Sequence, residues 1–265
     1  MLPNYKELRI LPLGDIQLGA STQLRRLSSY VSFADRIEAR VIGMGDYIDF
    51  ESPSGRQRTD IKRAQAYDSE IEGLDAAGGV FVKEAAEILH PLKGRIYGLI
   101  RGHHWCQFSG DKGDSVTVLA GLLGTENVGD CAMFEFDFGK GLKAHLWAHH
   151  GTGSGMVSTS AMTRLEHMTK TFYANAYLMG HQSKKGVSVI PWIRQAGGKT
   201  IGSNRYIIAT GAFSEGYVSG SVDAWGNPAG TYVERRMLVP TALGAPLIMM
   251  RPMYDAKRVD INVSV

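Results

Sequence analysis

Read for apolar and polar positions, the first half of the chain alternates between two periods. ELRILPLGD (7–15), RVIGMGD (40–46) and GRIYGLIRG (94–102) are apolar runs of strand length. Between the first two, STQLRRLSSYVSFADRIEA (21–39) spaces its apolar residues three and four apart. That is the period of an amphipathic helix, with Ser21 or Thr22 as its cap. The mixed stretch 58–90 predicts helix interrupted near Gly78-Gly79, and 114–123 predicts a short helix.

The pattern then changes. AMFEFDFGKGLKAHLWAHH (132–150) alternates and turns at Gly139-Lys140-Gly141, which predicts a hairpin. Residues 158–173 have helical spacing, NAYLMGH (175–181) reads as a strand, and 186–265 reads as strands and turns with a loop at WGNPAG (225–230). Helices alternate with strands early and strands dominate late, which predicts a layered α/β domain with sheets in the middle. The length, 265 residues, suits one large domain.

Composition narrows the class without naming a chemistry. With 44% apolar and 21% charged residues the chain is an ordinary globular one. No apolar run reaches about 18 residues, so no membrane span is expected. MLPNYKELRI lacks the apolar core of a signal peptide, so a cytoplasmic location is expected. Cys106 and Cys131 have no CxxC spacing and are expected as reduced thiols. A net charge of +3 neither demands nor excludes a nucleic-acid partner. The cluster Arg56, Arg58, Lys62 and Arg63 is denser, and reads either as a solvated helix start or as a grip on phosphate.

The chemistry collects where apolar runs stop: LPLGDIQ, GMGDYID, LIRGHHW, LWAHHG and YLMGHQS. In open α/β sheets, ligands gather outside the carboxyl ends of strands. Five such loops would bring Asp15, Gln17, Asp46, Asp49, His103, His104, His149, His150 and His181 together. Any one of them alone is more simply a hydrogen-bonded loop residue; the recurrence carries the argument. Clustered carboxylates repel unless neutralised, and mixed with imidazoles they suit divalent transition metals. In such a cluster Asp46 would be a candidate to bridge two ions, an arrangement that activates water against phosphorus. The chain has no GxSxG, GxxxxGK[ST] or HExxH motif. GTGSG (151–155) lacks the lysine of a phosphate loop and reads as a flexible turn.

Asp15-Ile16-Gln17, Gly45-Asp46-Tyr47-Ile48-Asp49, Gly102-His103-His104-Trp105, His149-His150-Gly151 and Gly180-His181-Gln182-Ser183 follow a known order. It is Asp-x-His, Gly-Asp-x-x-Asp, Gly-Asn-His-Asp/Glu, a strand-terminal His, then Gly-His-x-His. The chain resembles the calcineurin-like metallophosphoesterase superfamily over residues 8–183, and more loosely the phosphoesterases carried by phages. The resemblance implies a four-layer αββα sandwich, two mixed β-sheets flanked by helices, with a metal site at the C-terminal strand ends. It implies a single domain over 1–265 in which 186–265 completes the second sheet and offers homo-oligomer contacts.

It also implies roles. Asp15, Gln17, Asp46 and Ser183 fall at the first metal, and Asp46, His103, one of His149 or His150, and His181 at the second. His104 stands at the catalytic histidine, with Asp49 orienting it. Gln17 and Ser183 replace histidines, and His103 replaces an asparagine. The first site, all oxygen, favours Mg, Mn or Ca; the second, rich in imidazole, suits Zn, Fe or Mn. Mn is the expected ion, with one tight and one weaker site. Strand alternation puts His149 and His150 on opposite faces, His150 with Leu146 and Ala148; the choice leans slightly to His149 and stays open. The expected activity is hydrolysis of a phosphate ester, a diester before a monoester. Arg56, Arg58, Lys184 and Lys185 would hold the flanking phosphates of a nucleic acid or nucleotide. The alternative is a catalytically impaired binding or scaffold module, motivated by Gln17, His103 and Ser183.

Overall fold

A computed structural model describes residues 6–19, 22–50, 52–153, 159–196, 198–223 and 225–265. The first apolar run forms β1 (Leu8–Leu13) and the amphipathic stretch forms α1 (Leu24–Arg36). There follow β2 (Arg40–Gly43), α2 (Pro53–Arg63), α3 (Asp68–Leu89), β3 (Ile96–Leu99) and α4 (Ser115–Leu123). The predicted hairpin is β4 (Cys131–Asp137) and β5 (Lys143–His149), after which come α5 (Ser160–Thr169) and β6 (Ala176–Met179). A second hairpin, β7 (Lys185–Ala196) and β8 (Lys199–Thr210), precedes the short α6 (Tyr232–Arg235), β9 (Leu247–Met253) and β10 (Arg258–Ser264).

The strands make two mixed five-stranded sheets, in the orders β10-β9-β1-β2-β3 and β4-β5-β6-β8-β7. Alternation along each strand sorts side chains between layers. Leu8 and Ile10 of β1 join Leu146 and Ala148 of β5, Leu178 of β6 and Ile208 of β8 in a core between the sheets. Leu11 and Leu13 point the other way, onto Leu27 and Val31 of α1, Val82 and Ala85 of α3, and Leu119 of α4. On the far side Tyr177 and Ile207 pack under Ala161 and Leu165 of α5. The four-layer αββα sandwich is therefore present, and no helix among the described residues is long and apolar enough to cross a membrane.

Three expectations need correction. The helix predicted over 58–90 does not break at Gly78-Gly79: α3 runs through both, and the break falls between α2 and α3. Gly78 is there for packing, since a Cβ on it would lie 2.9 Å from Cys106 Sγ and 3.3 Å from the Phe108 ring. Residues 186–265 do not all complete the second sheet. β7 and β8 do, whereas β9 pairs antiparallel with β1 and carries β10, extending the first sheet. Last, the N-cap of α1 is Gln23, whose side chain makes no capping hydrogen bond. Thr22 instead donates its hydroxyl to the Ile16 and Gln17 carbonyls, closing the loop after β1. Ser21 and the end of the GTGSG turn, 154–155, lie outside the described residues.

Candidate metal centre

The parallel ladder between β1 and β2 continues past both strands. Asp15 and Gln17 donate their amides to the Gly45 and Asp46 carbonyls at 2.9 Å, and Leu18 to Tyr47 at 3.2 Å. This zipper sets Asp15 beside Asp46, and both are buried. The Tyr47 hydroxyl ties the same loop to β3's exit by donating to the Ile100 carbonyl at 3.0 Å. The glycine before each motif residue has a steric reason. A Cβ on Gly102 would lie 2.0 Å from Asp46 Oδ1, and one on Gly45, at φ +93°, would lie 2.6 Å from His150 Nδ1.

His103, His150 and His181 bring ring nitrogens within 4.8 Å of one another, and His150 does the same with carboxylate oxygens of Asp15 and Asp46. The His103 and His181 Nδ1 atoms are 3.2 Å apart. Asp46 divides its carboxylate: Oδ1 accepts from the amides of His103 and of His104, the latter at 2.9 Å, while Oδ2 has no hydrogen-bond partner. Asp15 does likewise, with Oδ2 accepting from the His181 amide at 2.8 Å and Oδ1 unmatched. The His150 Nδ1–H donates to the Met44 carbonyl at 2.8 Å, so in the neutral ring Nε2 holds a lone pair. That lone pair lies 3.2 Å from Asp46 Oδ2. Two lone pairs at that distance repel unless a cation, a proton or a metal ion, lies between them. Three orphaned buried atoms, Asp15 Oδ1, Asp46 Oδ2 and His150 Nε2, thus converge on one place, and the set fits a divalent metal.

Electrostatics agree. Burial lifts the Asp15 carboxyl to about 7, with the His150 charge opposing and Asp46 adding to the rise. Burial would lift Asp46 too, but the attraction of His150, then that of His104 and its amide, holds it below the usual carboxylate range. Burial would lower His150; Asp46 and Asp15 instead raise it to about 9. Burial and the neighbouring His150 and His103 charges lower His181 to about 4.

His104 stands at the edge of this cluster. Its Nδ1 lies 2.6 Å from Asp49 Oδ1, and its side chain is 26% exposed. Burial lowers its pKa, but the Asp49 hydrogen bond together with the charges of Asp46 and Asp49 outweighs that and the net shift is upward. The other expected residues fall in two groups. Gln17 and Ser183 stand in the same turns as Asp15 and His181, and all four have left-handed backbones, φ +49° to +65°. Lys184 is buried with Nζ 3.2 Å from Ser160 Oγ, and Arg58 is exposed on α2.

Two residues are not where the sequence suggested. His149 is outside the cluster: its Nδ1 accepts from the Gly151 amide at 2.7 Å, and its ring lies 5.6 Å from Trp147, on the outer face of the sheet. His150 continues the face of Leu146 and Ala148, which opens on Asp46. Arg56 is turned inward. Its Nη1 donates to the carbonyls of His103 at 2.6 Å and Trp105 at 2.9 Å, and its guanidinium stacks 4.2 Å over the Trp105 ring. No sequence signal marked this contact.

No family model matches the sequence, and no curated protein matches it. Among solved structures the chain is similar to a single mutant of Vps29 from Entamoeba histolytica, at 13% identity and a TM-score of 0.38, covering 97% of this chain and 98% of that one. It is similar to a conserved uncharacterized protein, a predicted phosphoesterase, from Streptococcus pneumoniae TIGR4 (10%, TM-score 0.35, 98% and 99%). A metallophosphoesterase from Sphaerobacter thermophilus is a third (14%, TM-score 0.35, 97% and 89%).

Proposed function

We propose that this chain is a metal-dependent phosphoesterase, acting on diesters before monoesters. The observation that carries the reading is the convergence of the three orphaned buried atoms, beside an imidazole already held by a carboxylate. His103, His150, His181 and Asp46 would hold one divalent ion, and Asp15 with Asp46, joined by Gln17 and Ser183, a second and weaker one. Mn suits this mixture of oxygen and imidazole, and Zn, Fe and Mg are the competitors. A bound ion would supply charge neutralisation for the phosphate oxygens and a more acidic water.

The chain's own groups do the rest. His104 has Nδ1 committed to Asp49, which leaves Nε2 for a substrate oxygen. Its raised pKa keeps it protonated further toward neutrality, as donation to a departing alkoxide or aryloxide requires. Asp49 fixes the ring's orientation. Arg58 and Lys184 are cations on two segments next to the motif loops, suited to the ester arms of a nucleotide or nucleic acid.

The test is hydrolysis of bis-(p-nitrophenyl) phosphate by metal-stripped protein with and without Mn, alongside Asp46→Asn. Mn-dependent turnover that disappears in the variant supports the reading. Folded, metal-bound protein that turns over neither this diester nor p-nitrophenyl phosphate would refute it in favour of a binding module.

A further inference from the structure

The loop Gly102–Trp105 carries a candidate metal ligand and the candidate proton donor side by side, so its backbone sets both. It is gripped from two directions. From inside, Asp46 Oδ1 accepts the amides of His103 and His104. From outside, the carbonyls on either side of His104 accept from a single nitrogen, Arg56 Nη1. The His104 carbonyl receives a long contact from the Phe50 amide, at 3.5 Å. Two guanidiniums lie over the Trp105 ring, Arg56 at 4.2 Å and Arg101 at 4.8 Å from its centroid. Arg101 is itself fixed by Asp130 at 3.0 Å.

We infer that Arg56 is a positioning residue: it locks the peptide units of His103 and Trp105, and through them places the His103 ring toward His150 and His181 and the His104 ring toward Asp49. The guanidinium suits this task. It is planar, so it can stack on Trp105 while its in-plane N–H groups reach two carbonyls; a lysine ammonium cannot do both. Arg56 sits in the first turns of α2, a helix with no buried apolar residue among those described. Helix α2 is thereby joined to the centre by a polar contact rather than by a packed face. The inference replaces the sequence expectation that Arg56 touches substrate, and only its kinetic arm rests on the phosphoesterase reading.

The test compares Arg56→Ala, Arg56→Lys and, as a control on the same helix, Gln57→Ala. Mn affinity is measured by calorimetry on metal-stripped protein, kcat and KM on bis-(p-nitrophenyl) phosphate, and folding by thermal melting. A positioning role predicts Mn affinity weakened roughly 10- to 100-fold in Arg56→Ala, the range for partners that orient ligands. It predicts that kcat falls while KM changes little, and that millimolar guanidinium restores part of both losses. Arg56→Lys should recover less than half of the lost kcat, and Gln57→Ala should behave as the parent. A rise in KM alone, with Mn affinity and kcat intact, would overturn the inference and return Arg56 to substrate contact. Should Arg56→Ala melt too low to assay, Arg56→Lys with parental Mn affinity and kcat overturns it equally. A parent that binds Mn but hydrolyses nothing fails the phosphoesterase reading, and Arg56 is then judged on Mn affinity.

Discussion

Gly102→Ala is the smallest change that should dismantle the centre. Gly102 is buried, and its backbone torsion is not among the left-handed ones, so alanine meets no conformational penalty there. The obstacle is space. The added methyl would lie 2.0 Å from Asp46 Oδ1, 2.3 Å from Asp46 N and 2.7 Å from Asp46 Cγ. Restoring an ordinary contact requires a displacement of roughly 1 Å or more, and one of the three atoms that must move, Asp46 N, is backbone. The same shift breaks the amide contacts from His103 and His104 to Oδ1, and with them the aim of Oδ2 at His150. Overpacking of this kind costs about 1–3 kcal/mol of stability, and a 1 Å displacement of a reacting constellation costs about 100-fold in rate. The expected result is therefore a folded protein with a modestly lower Tm, Mn affinity at least tenfold weaker, and kcat/KM down about 100-fold. Gly121→Ala is the control, since its site in α4 has nothing within 4 Å and helix propensity favours alanine by up to about 1 kcal/mol. Gly102→Ala with parental Mn affinity and turnover would show that the loop relaxes freely. The claim that Asp46 is held by close approach would then be wrong.

His150→Ala should abolish Mn binding while His149→Ala leaves it within a fewfold, because only His150 turns its free nitrogen toward Asp46; the reverse ranking in a calorimetric titration would invalidate the face assignment. For Asp49→Asn the sign follows from the His104 pair: its carboxylate raises the His104 pKa and so preserves the proton to higher pH. Removing the charge should move the alkaline limb of the kcat/KM profile to lower pH, and an unmoved limb would mean that His104 is not the titrating acid. Within α3, Gly79→Ala should raise Tm, since nothing lies within 4 Å of the new Cβ, whereas Gly78→Ala should lower it through contact with Cys106 and Phe108; equal shifts would contradict the packing account. Titrating metal-stripped protein with Mn should show one ion bound at least tenfold more tightly than the next, and two equally tight ions would contradict the asymmetry.

The site was legible in the sequence to the extent that it depends on strand endings. An apolar run followed by Gly-Asp or Gly-His is a local pattern, and five of them in order placed Asp15, Asp46, His103, His104 and His181 together before any contact was known. Alternation also paired His150 with Leu146 and Ala148 correctly. What it lacked was the knowledge that this face, rather than that of Trp147, borders the other sheet; the choice between His149 and His150 is a property of layer stacking. Sheet membership failed for a similar reason. The β7–β8 and β9–β10 hairpins look alike locally, and only pairing with β1, more than 230 residues earlier, sends the latter to the first sheet. Gly78-Gly79 read as a break because propensity counts a glycine's cost and not the neighbour it makes room for. Arg56 read as a surface cation because its partners lie 47 and 49 residues away.

The backbone adds what residue types conceal. Asp15, Gln17, Asp46, His181 and Ser183 all lie at positive φ, a region that costs a side chain about 1–3 kcal/mol and persists only where the surroundings over-determine it. Asp tolerates that region; glutamine and serine have less reason to occupy it. Hydrogen bonds on neighbouring backbone enforce it at Gln17 and Ser183. The Gln17 amide is held by the Asp46 carbonyl and its carbonyl by Thr22, while the Ser183 carbonyl accepts from Ala242 at 3.0 Å. The turns that carry Gln17 and Ser183 are thus built to the same strained form as those that carry Asp15 and His181, although neither residue offers an imidazole. A scaffold with no use for an ion would gain stability from glycine at either position, and would lose nothing by leaving the Asp46 and Asp15 oxygens hydrogen-bonded instead of bare. The combination of strained turns and bare buried oxygens supports the proposal of a weaker, oxygen-rich second metal position.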